Sequence, residues 1–318
     1  MRKEFCETIE RIAGENKEIL FLTGDLGFMA LEGIRDKLNE RFINMGVAEQ
    51  NMISVAAGLA SQGLIPLCYS IAPFVVYRPL EQIRLDVCLH NMNVKIIGNG
   101  GGYGYGIMGA THHALEDLAM LSSLQNMRCF IPFCNEDVSL VVEEMLKYKG
   151  PSYLRLGFAN KPKEISLPPY SALRRIDIEN ENENSDKKRV TVVALGPITI
   201  NVLNVIADAI IKKEKLQIDL FAVSEMPIFE LSTDFLESLK SSGRLMILEE
   251  HVARGGVAEN LALLLMKESR FRVDFDFHSI KMKHFCAQGY QELYGDQKYH
   301  QRLNQLDPDS IAKNILLF

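Results

Sequence analysis

Short apolar runs alternate with helical segments along most of the chain, and no other feature of the sequence restricts the fold as strongly. Glu18-Ile19-Leu20-Phe21-Leu22-Thr23 is such a run, closed by Gly24-Asp25. It follows a segment in which Phe5, Ile9 and Ile12 recur at helical spacing. Strand-like runs return at Arg41–Asn44, Ile65–Tyr69, Val94–Ile97 and Arg128–Ile131. Between them, Ala48–Gln62, Pro79–Leu89, Leu115–Leu121 and Glu136–Lys147 carry helical patterns. Strands separated by helices of this length pair in parallel, and a parallel sheet needs helices on both faces. The fold class is therefore α/β.

The alternation breaks once. Residues 176–188 are almost devoid of apolar side chains and read as a solvated linker or loop. The pattern then restarts with strands at Val190–Leu195, Gln217–Ala222 and Leu245–Leu248 and helices at Thr199–Lys212 and Gly256–Lys267. A chain of 318 residues has room for about two domains. The expected division is a parallel-sheet domain at 1–175 and a smaller α/β domain at 189–318.

Composition removes several classes of function. The net charge is −6, so no basic surplus is available for a nucleic-acid backbone. The apolar run Leu261–Met266 is far shorter than the roughly 20 residues that cross a bilayer. No membrane partner is expected. The N-terminal residues enter a charged helical pattern with no apolar stretch of signal-peptide type. Cys6, Cys68, Cys88, Cys129, Cys134 and Cys286 form no C-x-x-C pair, which argues against a zinc site or a disulfide framework. A cytoplasmic location and no metal site within this chain are the expectations.

The segment richest in chemistry is Met45-Gly46-Val47-Ala48-Glu49-Gln50-Asn51-Met52. Glu49 follows a short strand and a glycine and opens a helix. It can be an ordinary first-turn carboxylate favoured by the helix dipole. It can instead be partly buried, with a raised pKa that lets it hold a proton and donate it in a hydrogen bond. The G-x-A-E-Q-N-M run resembles the cofactor-activating motif of the thiamine-diphosphate transketolase family. Further stretches match in the same order: Asp25 after the first strand, Phe74-Val75-Val76-Tyr77 before Glu81-Gln82-Ile83-Arg84, the glycine-rich loop Gly100–Gly106, Thr111-His112-His113-Ala114-Leu115-Glu116-Asp117, and Glu249-Glu250-His251 with Gly255-Gly256. The resemblance covers nearly the whole chain. It implies a pyrimidine-binding domain followed by the family's C-terminal domain.

The resemblance also implies roles. Glu49 is expected to hydrogen-bond N1′ of the cofactor's aminopyrimidine, stabilising the imino tautomer that deprotonates the thiazolium ring. Phe74 and Tyr77 match aromatic residues that line the pyrimidine pocket, where flat rings offer stacking area; core packing is their plainer reading. Asp25 matches a cofactor-contacting acid, with a turn or capping role as the alternative. His112 matches a histidine of the substrate channel, where imidazole can donate to a hydroxyl or carbonyl and move protons near neutral pH. His113 beside it and Met108 in the preceding loop are further candidates for the substrate site. Arg78 and Arg84 are read as surface or helix-face cations.

One half of the family's machinery is absent from the sequence. Transketolases hold the diphosphate through a metal ion at a Gly-Asp-Gly motif followed by an Asn. Here Gly24-Asp25 is followed by Leu26. The resemblance therefore implies a separate partner subunit carrying that motif, thiamine diphosphate bound between the two subunits, Mg2+ held mainly by the partner, and a dimer of heterodimers. Small-molecule sugars are the implied substrates. Of the family's phosphate-binding positions, Arg2 is kept while Met29, Gly100 and Phe158 replace the others, and Met108 replaces an acid that reads acceptor hydroxyls. A phenylalanine cannot reproduce an arginine's two-pronged grip on phosphate. The expected reaction moves a two-carbon ketol unit to an aldose or ketosugar acceptor, with a nucleotide-linked ketosugar as one candidate. Two alternatives remain open at this stage: a 2-oxo-acid-decarboxylating thiamine enzyme, and a non-catalytic scaffold subunit.

Overall fold

A computed structural model describes residues 1–178, 188–207, 216–271 and 276–318. Most of the expected linker, and the end of the expected helix Thr199–Lys212, fall outside the described residues. The strands in chain order are β1 Ile19–Thr23, β2 Phe42–Asn44, β3 Ile65–Ile71, β4 Lys95–Asn99, β5 Arg128–Phe130, β6 Ser152–Leu156, β7 Leu173–Ile176, β8 Lys188–Leu195, β9 Leu216–Val223, β10 Glu225–Met226, β11 Arg244–Glu249 and β12 Lys281–Cys286. They form a seven-stranded sheet of order β10-β5-β6-β4-β3-β1-β2 and a five-stranded sheet of order β12-β11-β8-β9-β7. Every pairing in the first sheet is parallel except β10 with β5, and every pairing in the second except β7 with β9.

The alternation in the sequence becomes layers. β1 is buried at all five positions because helices cover both of its faces. Helix Arg2–Glu15 supplies part of one cover through Phe5, Ile9 and Ala13, spaced four apart on one stripe. Phe5 meets the rings of Phe21 and Tyr69 at centroid distances of 6.3 and 6.1 Å. Helix Glu49–Ser61 buries Met52, Ile53, Ala56 and Ala57, and its small residues let it lie close to the sheet.

Two features differ from the sequence reading. β6 lies inside the first sheet, between β5 and β4, yet carries Arg155. Arg155 is 4% exposed and donates through Nε to Asp117 at 2.8 Å, which is how a charged residue occupies a central strand. The boundary at 175 also needs correction. β7 begins at Leu173 and already belongs to the second sheet, whereas β10 returns to the edge of the first. Strand exchange of this kind interlocks the two halves.

The interface between the halves combines apolar packing with buried polar contacts. Arg174 of β7 donates through Nη1 to Asp137 at 2.8 Å and through Nε to Ser224 at 2.8 Å, and Nη2 also bonds Asp137. Both charged side chains are fully buried. Glu250 of the second half accepts from the Tyr103 backbone N–H at 2.7 Å, Gln297 at 2.9 Å and Gln301 at 2.7 Å. Burial pushes the Glu250 carboxyl up, and those three donors oppose the shift. Gly102, with φ +65°, makes room for it: a Cβ there would sit 2.4 Å from Glu250 Oε1. All six cysteines are buried and unpaired. Among the described residues, no helix is long and apolar enough to cross a membrane.

Candidate active site

Parallel strands bring their carboxyl ends to one edge of the sheet, and ligand sites in such sheets form there. Gly24 follows β1, Gly46 follows β2, Ser70 lies near the end of β3, and helix Glu49–Ser61 starts at the same edge. A Cβ on Gly24 would lie 3.6 Å from Glu49 Oε1, 3.6 Å from the Gly46 carbonyl and 3.8 Å from Ser70 Oγ. These groups therefore surround one small hollow. Glu49 is 3% exposed, so the first-turn carboxylate is also a buried one. Ser70 Oγ is buried there with no hydrogen-bond partner.

Glu49 is not left without a counter-charge. Arg78 Nη1 donates to both of its carboxylate oxygens at 2.9 Å. The Arg78 guanidinium also lies over the Phe74 ring, its carbon 3.9 Å from the ring centre. This corrects the reading of Arg78 as a plain surface cation. Phe74 and Arg78 are four residues apart, the spacing that puts two side chains on one helical face. That spacing was the available sequence signal. Phe74 meets His112 edge-on at 5.1 Å, and Tyr105 meets His112 at 5.8 Å. Tyr105 is fixed by Asn99, which donates to its hydroxyl at 2.7 Å. The structure thus brings Glu49, Phe74 and His112 together and adds Arg78, Tyr105, Asn99 and Ser70 to the same wall.

The other candidates fall around this centre. Asp25 adopts a left-handed backbone conformation, φ +53°, held by Asn44. Its N–H donates to Asn44 Oδ1 at 3.1 Å and its carboxylate accepts from Asn44 Nδ2 at 2.9 Å. Tyr77 lies one turn beyond Phe74 and donates from its hydroxyl to Glu116 at 3.1 Å. Tyr290 of the second half donates to the same Glu116 oxygen at 2.6 Å. Burial holds the Tyr77 hydroxyl well above its ordinary range, so it remains a donor. Met108 stands half-exposed on the turn Gly106–Met108.

His113 does not share the orientation of His112. It is 1% exposed and its Nε2 lies 2.9 Å from the Gly106 carbonyl. Its ring packs against Tyr103 and His300, at 5.1 and 4.9 Å. Adjacent side chains seldom face the same way, and this geometry turns His113 away from the wall that His112 joins.

His112 Nδ1 lies 2.8 Å from Thr111 Oγ1, which leaves Nε2 for another partner. Burial, and then the Arg78 charge, lower the His112 pKa. The imidazole therefore stays neutral to a lower pH than an ordinary histidine. Arg78→Gln removes one of the two causes, so the His112 pKa is expected to rise while staying below its ordinary value. An NMR titration of the ring protons checks this; an unchanged pKa would show that Arg78 does not act on His112.

Among the described residues, no group of three or more His, Cys, Asp or Glu side chains is placed to hold a metal ion. A pyrimidine ring is a different matter. A buried carboxylate beside the flat face of Phe74 already accepts a planar, hydrogen-donating group, the Arg78 guanidinium. The residues present fit an aminopyrimidine on that observation.

Comparison with known proteins agrees with the two-sheet layout. Residues 1–162 match the transketolase pyrimidine-binding domain, and residues 181–299 match the transketolase C-terminal domain. The chain belongs to the transketolase family and spans these two of its domains. It is 29% identical to one of the subunits of apulose-4-phosphate transketolase from Actinobacillus succinogenes, over 86% of this chain and 83% of that protein. It is 29% identical to the putative transketolase C-terminal section of Methanocaldococcus jannaschii, over 99% of this chain and 95% of that protein. Among solved structures it resembles a split-gene transketolase described as an inactive β4 tetramer, with TM-score 0.79 and 27% identity over 99% of this chain and 97% of that one.

Proposed function

We propose that the chain is the pyrimidine-binding subunit of a two-component, thiamine-diphosphate-dependent transketolase. A separate subunit supplies the Gly-Asp-Gly…Asn half that holds the diphosphate and Mg2+, and the cofactor lies between the two. The observation that carries the reading is Glu49, a buried carboxylate at the start of a helix, bonded to a planar group whose central carbon lies 3.9 Å from the centre of the Phe74 ring. One relative is named as a single subunit of its transketolase, and a similar structure is a split-gene enzyme; both support the two-component arrangement.

Bound thiamine diphosphate supplies the electron sink that lets a carbon–carbon bond beside a ketone break and re-form. The chain's own residues do the rest. Glu49 accepts or holds a proton at N1′ of the aminopyrimidine. Phe74 gives the ring a flat wall, and Asp25 sits at the neighbouring loop. His112, with Nδ1 engaged by Thr111, offers Nε2 to a substrate hydroxyl or carbonyl. Met29, Phe158 and Met108 are exposed on loops, which supports an aldose or ketosugar acceptor not gripped there by phosphate; a nucleotide-linked ketosugar fits. The six buried, unpaired thiols support a reducing, cytoplasmic setting.

Calorimetry with thiamine diphosphate and Mg2+ tests the proposal. Tight binding is expected when the chain is mixed with the partner subunit, and not with the chain alone. Equally tight binding by the chain alone would remove the need for a partner. No binding in the mixture would overturn the assignment of the site.

A further inference from the structure

We propose that Arg78 is a positioning residue that fills the seat of the aminopyrimidine, so that cofactor binding must displace it from Glu49. The inference rests on the assignment of Glu49 and Phe74 to the pyrimidine. A guanidinium is flat, cationic and rich in N–H donors, which makes it a close physical substitute for an aminopyrimidine protonated at N1′, the form that presents an N–H to a carboxylate. Here one nitrogen, Nη1, takes both Glu49 oxygens at 2.9 Å. The guanidinium carbon sits 3.9 Å above the centre of Phe74. A pyrimidine stacked on that face of Phe74 requires the same layer, since carbon atoms in contact lie roughly 3.5–4.0 Å apart. Two flat groups cannot share that layer and the same carboxylate, so occupation is exclusive.

The arginine has somewhere to go. Its side chain is 43% exposed, whereas Glu49 is 3% exposed, so the arginine is the mobile member of the pair. Beside it runs a groove of about 500 Å³ lined by Tyr77, Leu80, Glu81, Arg84, Met120 and Leu124. Glu81, three residues along, accepts from Arg84 at 2.8 Å through each of two nitrogens, and it remains exposed enough to receive a second guanidinium. The swing exchanges a buried partner for an exposed one, and the Glu49 carboxylate, 3% exposed, then depends on the incoming ring for its hydrogen bond. While Arg78 stays on Glu49, only the fraction of molecules with an open seat is competent to bind. The apparent affinity for the cofactor falls by that fraction.

The test compares wild type, Arg78→Ala and Arg78→Lys. Thiamine diphosphate with Mg2+ is titrated into each assembled two-subunit enzyme by calorimetry. The aminopyrimidine fragment of thiamine is titrated into the chain alone by NMR. Arg78→Ala is expected to bind the cofactor about tenfold more tightly than wild type, as a seat that is open only a tenth of the time requires. Arg78→Lys keeps the charge but loses the flat stack and is expected to fall between them. In wild type, the fragment is expected to move the Arg78 Nε–H signal toward that of a solvent-exposed arginine. Unchanged far-ultraviolet circular dichroism in the variants shows that the fold is intact, while the melting temperature of Arg78→Ala is expected to fall because buried Glu49 loses its counter-charge. Equal or weaker cofactor binding by Arg78→Ala, with wild type binding normally, overturns this inference and leaves the proposed function standing. Failure of wild type to bind either probe overturns the assignment of the site and this inference with it.

Discussion

Replacing Glu49 with glutamine is expected to lower kcat of the assembled enzyme by roughly 10²–10⁴-fold, the range for loss of a placed acid–base group. Glutamine keeps the shape and one acceptor, but it cannot exchange a proton with N1′ of the pyrimidine. Arg78 loses its counter-charge in this variant. Its side chain is 43% exposed, so water can take over, and the fold should survive. Steady-state kinetics of the variant with its partner subunit, alongside an assembly assay, separates the readings. Lost turnover with normal assembly assigns Glu49 to the chemistry. Turnover near wild type would make Glu49 a structural carboxylate paired with Arg78, and the scaffold reading would gain from it.

The largest effect on stability is expected at the junction of the two halves. Arg174→Ala leaves Asp137 buried, with the Phe133 backbone N–H, at 3.1 Å, as its one remaining donor among the described residues. Breaking a buried pair from one side costs about 3–5 kcal/mol, because the surviving charge is uncompensated. Urea unfolding of Arg174→Ala should show that loss. The double variant Arg174→Met/Asp137→Leu should recover much of it, since two apolar side chains remove both charges together. Recovery should be incomplete, because the Phe133 N–H and the Ser224 hydroxyl both lose a partner. A loss under about 1 kcal/mol in Arg174→Ala would mean that water reaches Asp137 and that the junction is looser than the structure shows.

Much of the first sheet was legible in the sequence. β1 and β4 end at a glycine, β3 runs straight into a helix at Ala72, and burial on both faces erases any polar alternation that could mislead. β6 was not legible. Its run Ser152-Tyr153-Leu154-Arg155-Leu156 carries a charge at a position that burial normally excludes. Asp117, 38 residues away in sequence, and the Ala114 and Glu250 carbonyls make that charge tolerable. β7 and β10 stayed hidden for a different reason. Both are too short to show a period, and each is held in its sheet by one antiparallel neighbour contributed from elsewhere in the chain.

The site was legible to a similar depth. Glu49, Phe74 and His112 belong to runs that resemble a family's motifs, and motif spacing is a local property. Arg78 lay beside one of these runs, and its helical spacing from Phe74 was visible. Its partner was not, because Glu49 precedes it by 29 residues and reaches it only across the sheet edge. His113 shows the reverse case, a residue inside a matching run whose neighbours turn it inward.

By itself the sequence determined the α/β class, the alternation of most strands and helices along the chain, and the family resemblance. Each of these follows from local periodicity or from contiguous motifs, which any stretch of chain carries with it. Tertiary structure alone decided the exchange of β7 and β10 between halves, the burial of Arg155 and Arg174 beside their acids, and the seating of Arg78 on Glu49 and Phe74. All three depend on which distant groups meet in a region poor in water. There a charge is tolerated or excluded by its partner, and the partner is not written in the residues next to it.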